Sequence, residues 1–204
     1  MLSDYAAIKN GSYGKLMKAY YAKQDAEKLS GKGDTSQKLT LMKTSADSLK
    51  KSADALNDSS LWEKKKIKKK DEKTGEEIEV EDYDWDKITK AVKSFVEDYN
   101  DVVKEAGESN TKDVLRNASW MTGMTDKNSN MLAKIGITIG KGNKLELDED
   151  ALKQADISSL KTVFTGYNSF VSKISQKATG ISNAANRASA TYTNNGTYSK
   201  TDSL

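Results

Sequence analysis

The chain contains no cysteine, no histidine and no proline. Without cysteine there is no disulfide, no thiolate metal ligand and no thiol nucleophile. Without histidine the chain lacks the commonest acid–base group and the commonest metal ligand. Because proline interrupts helices, its absence fits a chain built mainly from uninterrupted helix. We therefore expect that the protein is not an enzyme and that it has no catalytic residue, no metal site and no cofactor.

Arginine and long apolar runs are also scarce. Of 33 basic residues only Arg116 and Arg187 are arginine, and the formal net charge is +3. Arginine is the usual choice for bidentate contacts with phosphate and guanine. No apolar run approaches the roughly 18 residues of a membrane span. These features favour neither a nucleic acid nor a membrane as partner.

What the chain does have is a heptad rhythm in three segments, with apolar residues spaced alternately three and four apart, as in coiled coils and left-handed helical bundles. The first segment has Leu39, Met42, Ala46, Leu49, Ala53 and Leu56. The second has Ile88, Val92, Phe95, Tyr99, Val102 and Ala106. The third has Leu160, Phe164, Tyr167, Val171, Ile174, Ala178, Ile181, Ala185 and Ala188.

These seams predict a mainly α protein, an elongated antiparallel helical bundle or coiled coil with one or two small β-hairpins, forming one stalk-like domain over residues 1–204. We expect the third segment to be one long helix that packs against the second. The expected packing or partner seam consists of Phe95, Tyr99, Leu160, Phe164, Tyr167, Val171 and Ile174, with the aromatic members in the core.

The remaining segments are assigned from local signals. Residues 4–29 are amphipathic, and residues 112–121 are expected to form a short helix. Residues 122–129 are expected to be a loop, followed by one more turn at 130–134. The tail at 193–204, rich in Asn, Thr and Ser, is expected to be irregular.

Residues 135–147 predict a hairpin. Ile135, Ile137 and Ile139 alternate with small or polar residues, which is the period of a half-buried strand. The sequence Gly-Lys-Gly-Asn at 140–143 then supplies the residue types of a tight turn. Leu145 and Leu147 resume the alternation, and Asp148 is a candidate N-cap for a following helix.

Residues 62–83 predict a second hairpin with one basic and one acidic arm. The basic arm is 64–70 and the acidic arm is 76–82, with a turn at 71–75. The simpler interpretation is that opposite charges neutralise each other across the strands. The alternative is that Lys64–Lys70 forms a patch that binds a nucleic acid or a lipid.

The run Asp82-Tyr-Asp-Trp-Asp86 has the opening of a calcium loop. The sixth position of such a loop is glycine and the twelfth is glutamate, but here they are Lys87 and Lys93. An N-cap role for Asp84 or Asp86 explains these carboxylates more simply.

Two stretches resemble the flagellar hook-associated protein 2 family, the filament-capping proteins. The helix DYDWDKITKAVKSFVEDYNDVV is similar to the family's helix with a Phe-Val-x-x-Tyr-Asn core. The stretch LAKIGITIGKGNKLELDEDAL is similar to the family's Ile-Gly-Ile-Thr, Leu-x-Leu-Asp-Glu run. The matching positions are Phe95, Val96, Tyr99, Asn100, Ile135, Gly136, Ile137, Leu145, Leu147 and Asp148.

The resemblance implies a structural or assembly protein at the flagellar filament tip, extracellular and exported without a cleaved signal peptide. Its partners would be copies of itself or flagellin-like filament proteins. The family's large distal β-rich domains have no counterpart, and the charged hairpin stands where they would join. The alternatives are a secreted or surface helical interaction module unrelated to flagella, nucleic-acid binding through Lys64–Lys70, and a cytoplasmic location if the chain is not exported.

Overall fold

A computed structural model describes residues 33–70 and 75–191, without the side chains of Lys69 and Thr191. The amphipathic segment 4–29, the tail 193–204 and most of the predicted turn at 71–75 lie outside the described residues.

Within the described part the chain is mainly α with two small hairpins, as predicted. The helices are α1 Ser36–Asn57, α2 Trp85–Glu108, α3 Lys112–Lys127, α4 Ser129–Ala133, α5 Glu149–Gln154, α6 Ile157–Phe164 and α7 Phe170–Thr191. The strands are β1 Lys65–Lys70, β2 Glu77–Asp82, β3 Ile137–Ile139 and β4 Leu145–Leu147. Short 3₁₀ turns lie at Ser59–Trp62 and Lys141–Asn143.

The first two seams form as predicted. Thr35 caps α1 by accepting a hydrogen bond from the Lys38 backbone N–H at 3.3 Å. Asp84 caps α2 in the same way, accepting from the Lys87 N–H at 3.0 Å, so this carboxylate has a structural use. All the seam positions of both helices are at most 2 % exposed. Each large aliphatic side chain buried in this way contributes about 1.5–3 kcal/mol.

The third seam is not one helix, contrary to the expectation. Helix α6 ends at Phe164 and α7 begins at Phe170. Between them Gly166 has φ +99°, a conformation that side-chain-bearing residues rarely adopt. Its N–H donates to the Asn57 side chain at the end of α1, at 2.8 Å. Tyr167 is 82 % exposed, so its placement in the core was wrong.

The expected partner of this seam was also wrong. Helix α7 packs chiefly along α1 and then along α3, not along α2. Two side-chain pairs join α1 to α7: Ser182 donates to Asp47 at 2.6 Å, and Ser175 donates to Asp54 at 2.7 Å. The numbering rises on one helix as it falls on the other, so the two helices are antiparallel. Periodicity identifies a buried face but does not say which other face covers it.

Helix α3 is longer than expected, because it runs to Lys127 and absorbs most of the predicted loop 122–129. Threonine favours non-helical backbone when its hydroxyl competes for nearby groups. Here the hydroxyls of Thr122 and Thr125 donate to carbonyls one turn earlier, Ala118 at 3.1 Å and Met121 at 3.0 Å. The helix therefore satisfies both hydroxyls internally.

Hairpin β3–β4 pairs Ile137 with Leu147 and Ile139 with Leu145. The predicted N-cap Asp148 accepts from the backbone N–H groups of Asp150 and Ala151 at 3.0 and 2.9 Å. Gly136 has φ +78°, and its carbonyl accepts from the Asp148 N–H at 2.8 Å. A Cβ at Gly136 would lie 2.6 Å from the Asp148 carbonyl oxygen. This position therefore requires glycine on two counts.

We predict that Gly136→Ala lowers the free energy of unfolding by about 3 kcal/mol or more, combining positive-φ strain with a backbone clash. Gly142→Ala is the matched control, since Gly142 has φ +71° but nothing within 4 Å of its Cβ position. That variant should lose only about 1 kcal/mol. Urea denaturation measures both, and equal losses would contradict the proposed clash.

Candidate functional site

The family-like motif joins α2 to the β3–β4 hairpin. The Asn100 amide donates to the Leu145 carbonyl at 2.9 Å, and its oxygen accepts from the Leu145 N–H at 2.7 Å. The Asn100 side chain thus makes the two backbone hydrogen bonds with Leu145 that a neighbouring strand would otherwise make. Both residues belong to the family-like motif, but the motif alone does not predict that they pair.

The other motif residues on α2 are buried. Phe95 and Tyr99 are 0 % exposed and Val96 is 6 % exposed. The Tyr99 hydroxyl donates to the Thr125 hydroxyl at 2.9 Å, which ties α2 to α3. Burial raises the pKa of the Tyr99 phenol far above its ordinary value, an effect that the Thr125 contact only partly opposes. The phenol therefore stays neutral and serves the core.

Six of the seven expected seam residues cannot meet a partner without unfolding. Phe95, Tyr99, Leu160, Phe164, Val171 and Ile174 are all 0 % exposed. Tyr167 is the exposed exception. A partner surface must therefore be sought among other side chains.

One exposed aromatic side chain lies between two helices. Trp120 of α3 is 61 % exposed, on the side of the helix away from the buried Leu115 and Ala118. The Lys177 ammonium of α7 lies 5.2 Å from the centroid of its indole ring, close enough for a cation–π contact. This contact holds the indole against α7 while leaving most of it open to solvent.

Both arginines of the chain lie nearby on the same two helices. Asp113 accepts from Arg116 of its own helix at 2.9 Å and from Arg187 of α7 at 3.4 Å. Trp120 follows Asp113 by seven residues, which is two helical turns or roughly 10 Å. We call Asp113, Arg116, Trp120, Lys177 and Arg187 the α3–α7 surface.

The two helices approach closely between these groups. A Cβ at Gly180 of α7 would lie 2.6 Å from the Asn117 amide oxygen of α3. Asn117 in turn donates to the Asp113 carbonyl at 2.8 Å. The spacing of the surface is therefore set by a glycine contact rather than by mobile side chains.

A cleft of about 470 Å³ adjoins this surface at the end of the bundle. Its lining residues are Gly33, Asp34, Leu39, Asn110, Thr111, Lys112, Asp113, Ala184, Arg187 and Ala188. Asp113 and Arg187 belong to both the cleft and the α3–α7 surface. The starts of α1 and α3 and the last turns of α7 meet here.

Asp34 organises the wall of the cleft. Its carboxylate accepts from the N–H groups of Asn110 and Thr111 at 2.9 Å each. It also accepts from the hydroxyls of Ser109 at 2.6 Å and Thr111 at 2.8 Å. Thr111, the N-cap of α3, makes no side-chain cap hydrogen bond, and Asp34 instead fixes the turn that leads into the helix.

The pKa of Asp34 follows from these contacts. Burial by itself would raise the pKa. The hydrogen bonds from Ser109, Asn110 and Thr111, together with the charge of Lys38, outweigh burial and hold the pKa below its ordinary value. The carboxylate is thus ionised at neutral pH, with its side chain only 1 % exposed.

Residues 109–204 match the family model described as the flagellar hook-associated protein 2 C-terminus. Residues 109–204 therefore correspond to the C-terminal region of this family. It is a structural family of the flagellum, with a role in filament capping and assembly. The match begins in the turn held by Asp34 and includes α3, β3–β4 and α7. No curated protein and no solved structure matches the chain.

The matched range includes only one of the two stretches that resemble the family. The hairpin positions from Ile135 to Asp148 lie inside it, but the motif from Phe95 to Asn100 lies before it. All residues of the α3–α7 surface lie inside it. Among the described residues, no helix combines the length and apolar character that crossing a membrane requires. Nor do residues 33–70 and 75–191 bring together three groups suited to hold a metal ion.

Trp120 was missed by the sequence analysis although a signal was present. The buried positions of α3 include Val114, Leu115, Ala118 and Met121, and Trp120 does not fall on that face. A tryptophan away from the apolar face of its own helix is a candidate for a contact surface. The two arginines stand out in the sequence only by their rarity, which does not indicate that they meet at Asp113.

We predict that Asp34→Asn lowers the free energy of unfolding at pH 7 by about 2–4 kcal/mol, because charged hydrogen bonds to the start of α3 are lost. A carboxylate with a depressed folded pKa stabilises the protein above its unfolded pKa. That contribution is lost as the pH falls below about 4 through the folded pKa. The difference between wild type and variant should therefore shrink in acid, as measured by urea denaturation at several pH values. A difference independent of pH would contradict the assignment.

Proposed function

We propose that the protein is a structural component of the flagellar filament tip that docks onto flagellin-like subunits through the α3–α7 surface. The observation that carries the proposal is the exposed Trp120 on α3, which shares the α3–α7 surface with both arginines of the chain, within the region that matches the family. Tryptophan and arginine are enriched among the residues that dominate binding energy at protein interfaces.

The tryptophan supplies the apolar part of the contact. A tryptophan side chain buries about 150–250 Å² when fully covered. At about 25 cal/mol per Å², covering half of that area contributes about 2–3 kcal/mol. Because Lys177 already restrains the indole, less side-chain freedom remains to be lost on binding.

The charged groups supply orientation. As exposed ion pairs, the contacts of Asp113 with Arg116 and Arg187 add little stability by themselves. They do hold both guanidinium groups at Asp113, two helical turns from Trp120, where a partner that excludes water can accept hydrogen bonds from them. The surface carries three cations and one carboxylate, so we expect a partner with an apolar groove rimmed by carboxylates.

The architecture supports a stalk rather than a catalyst. The helices α1, α2, α3, α6 and α7 contribute to one hydrophobic core cluster, which supports the further proposal that residues 1–204 act as one domain. Docking on the filament also implies an extracellular location after export, and this belongs to the same proposal.

We predict that Trp120→Ala weakens binding to flagellin at least tenfold while leaving the unfolding transition unchanged, because the residue is exposed and makes its main contact with Lys177. Biolayer interferometry with immobilised flagellin from the same organism measures the dissociation constant. Tyr167→Ala is the matched control, since it removes another exposed aromatic side chain outside the surface. Equal weakening by both variants, or none by Trp120→Ala, would contradict the proposal.

A further inference from the structure

We propose that the β1–β2 hairpin is a docking edge on which a second copy of this chain adds its own hairpin, the basic strand of one copy lying beside the acidic strand of the next. This inference rests on the proposed function in one respect, that the protein takes part in an assembly. It names the surface and the partner that self-association would use.

The two strands carry opposite charge. Strand β1 reads KKIKKK and contains five lysines. Strand β2 reads EIEVED and contains four carboxylates. The hairpin strands together thus carry five positive and four negative charges, or +1. A nearly neutral hairpin with one basic and one acidic strand is suited to a partner hairpin of the same kind rather than to a polyanion.

The register places the charges in a ladder. Lys66 lies opposite Glu81, Lys68 opposite Glu79 and Lys70 opposite Glu77. Residues directly opposite each other in an antiparallel pair share one face of the sheet. That face therefore presents a basic row beside an acidic row. A second hairpin placed alongside would continue the alternation, acidic against basic.

The other face has apolar side chains at its centre. Ile67 lies opposite Val80 and both are half-buried, whereas Ile78 is 41 % exposed. Lys65 lies opposite Asp82 at one end of this face, and Lys69 lies opposite Ile78. None of the three apolar side chains belongs to the hydrophobic core cluster or packs against it. On the charged face Lys68 forms an ion pair with Glu77 at 3.4 Å, and these two side chains are 70 and 63 % exposed. The described part of the hairpin therefore lies apart from the helical core.

A hairpin in this position has a reason to acquire another strand. Among the described residues β1 and β2 form a sheet of two strands, so each has an edge without a neighbouring strand. Isolated two-stranded hairpins are marginally stable in water, and three or more strands with an apolar face are needed for independent stability. A strand from a second copy would extend the hydrogen-bonded ladder and enlarge the apolar face.

Charge decides which edges meet. Pairing β1 with β1 of another copy would oppose lysine rows, and pairing β2 with β2 would oppose carboxylate rows. Like charges directly opposite are destabilising in sheets, whereas opposite charges stabilise. Only the pairing of β1 with β2 of the next copy is complementary. Such a contact uses different surfaces on the two copies, so it closes into a ring or continues as an array.

The experiment measures self-association of the full-length, nuclease-treated protein by sedimentation velocity over a range of concentrations. The variant K66E/K68E/K70E makes both strands acidic, and E77K/E79K/E81K makes both basic. Each should weaken self-association at least about tenfold, because three attractive cross-strand pairs become repulsive. The six-fold variant combines all six substitutions, so that β1 becomes the acidic strand and β2 the basic strand. It should associate like the wild type.

A charge-matched control and a site-specific readout complete the test. K127E/K134E/K141E changes three exposed lysines outside the hairpin and should leave association unchanged. Amide hydrogen exchange should slow in β1 and β2 as the concentration rises, for the wild type and the six-fold variant. For the wild type, 1 M salt should reverse this effect, since it shortens the screening length to about 3 Å.

Several results would overturn the inference. These are a monomeric wild type at all concentrations, association that disappears with nuclease, a six-fold variant that fails to associate, or slowed exchange confined to other segments. None of them bears on docking through Trp120, because flagellin binding is measured with the monomer and should be equal in all the hairpin variants. Conversely, if Trp120→Ala loses flagellin binding but self-associates like the wild type, the two surfaces act independently.

Discussion

The antiparallel contact between α1 and α7 is the interaction on which the rest of the described structure depends. Both helices place alanines on their buried faces, Ala46 and Ala53 on α1 and Ala178 and Ala185 on α7. Small side chains allow helix backbones to come close. The pairs Asp47 with Ser182 and Asp54 with Ser175 recur at seven-residue intervals, so they fix the register along this contact. Helix α7 in turn supports α3, and so the α3–α7 surface.

Two side chains then complete backbone hydrogen bonding at a distance. Asp34 binds the N–H groups that precede α3, and it lies 76 residues away from Asn110. Asn100 binds both backbone groups of Leu145, which lies 45 residues away. In each case a polar side chain on a helix or at its start satisfies groups that would otherwise be left without partners. These contacts place α3 and the β3–β4 hairpin on the bundle.

Regular periodicity made much of the fold predictable. The seams of α1 and α2, both hairpins, and the caps at Asp84 and Asp148 follow from local patterns. The break at Gly166 was not predictable, because the heptad spacing continues across it and its decisive contact with Asn57 spans 109 residues. The full length of α3 was missed because Thr122 and Thr125 resemble loop residues until their helical carbonyl partners are known. For the site, the motif identified Asn100 and Leu145, but Trp120 and the arginines required knowledge of the exposed face.

The distribution of burial separates the scaffold from the candidate contact surfaces. The family-like motif residues Phe95, Tyr99, Ile137 and Leu145 are at most 2 % exposed, so their identities are explained by folding. A partner cannot reach them without opening the core, which would expose several large side chains at about 1.5–3 kcal/mol each. Contacts must therefore come from side chains that the core does not use. The described structure offers two such sets with different chemistry, an aromatic and cationic set on α3 and α7 and a charge ladder on β1 and β2. Because they lie on different elements, filament docking and pairing between copies need not compete for the same atoms.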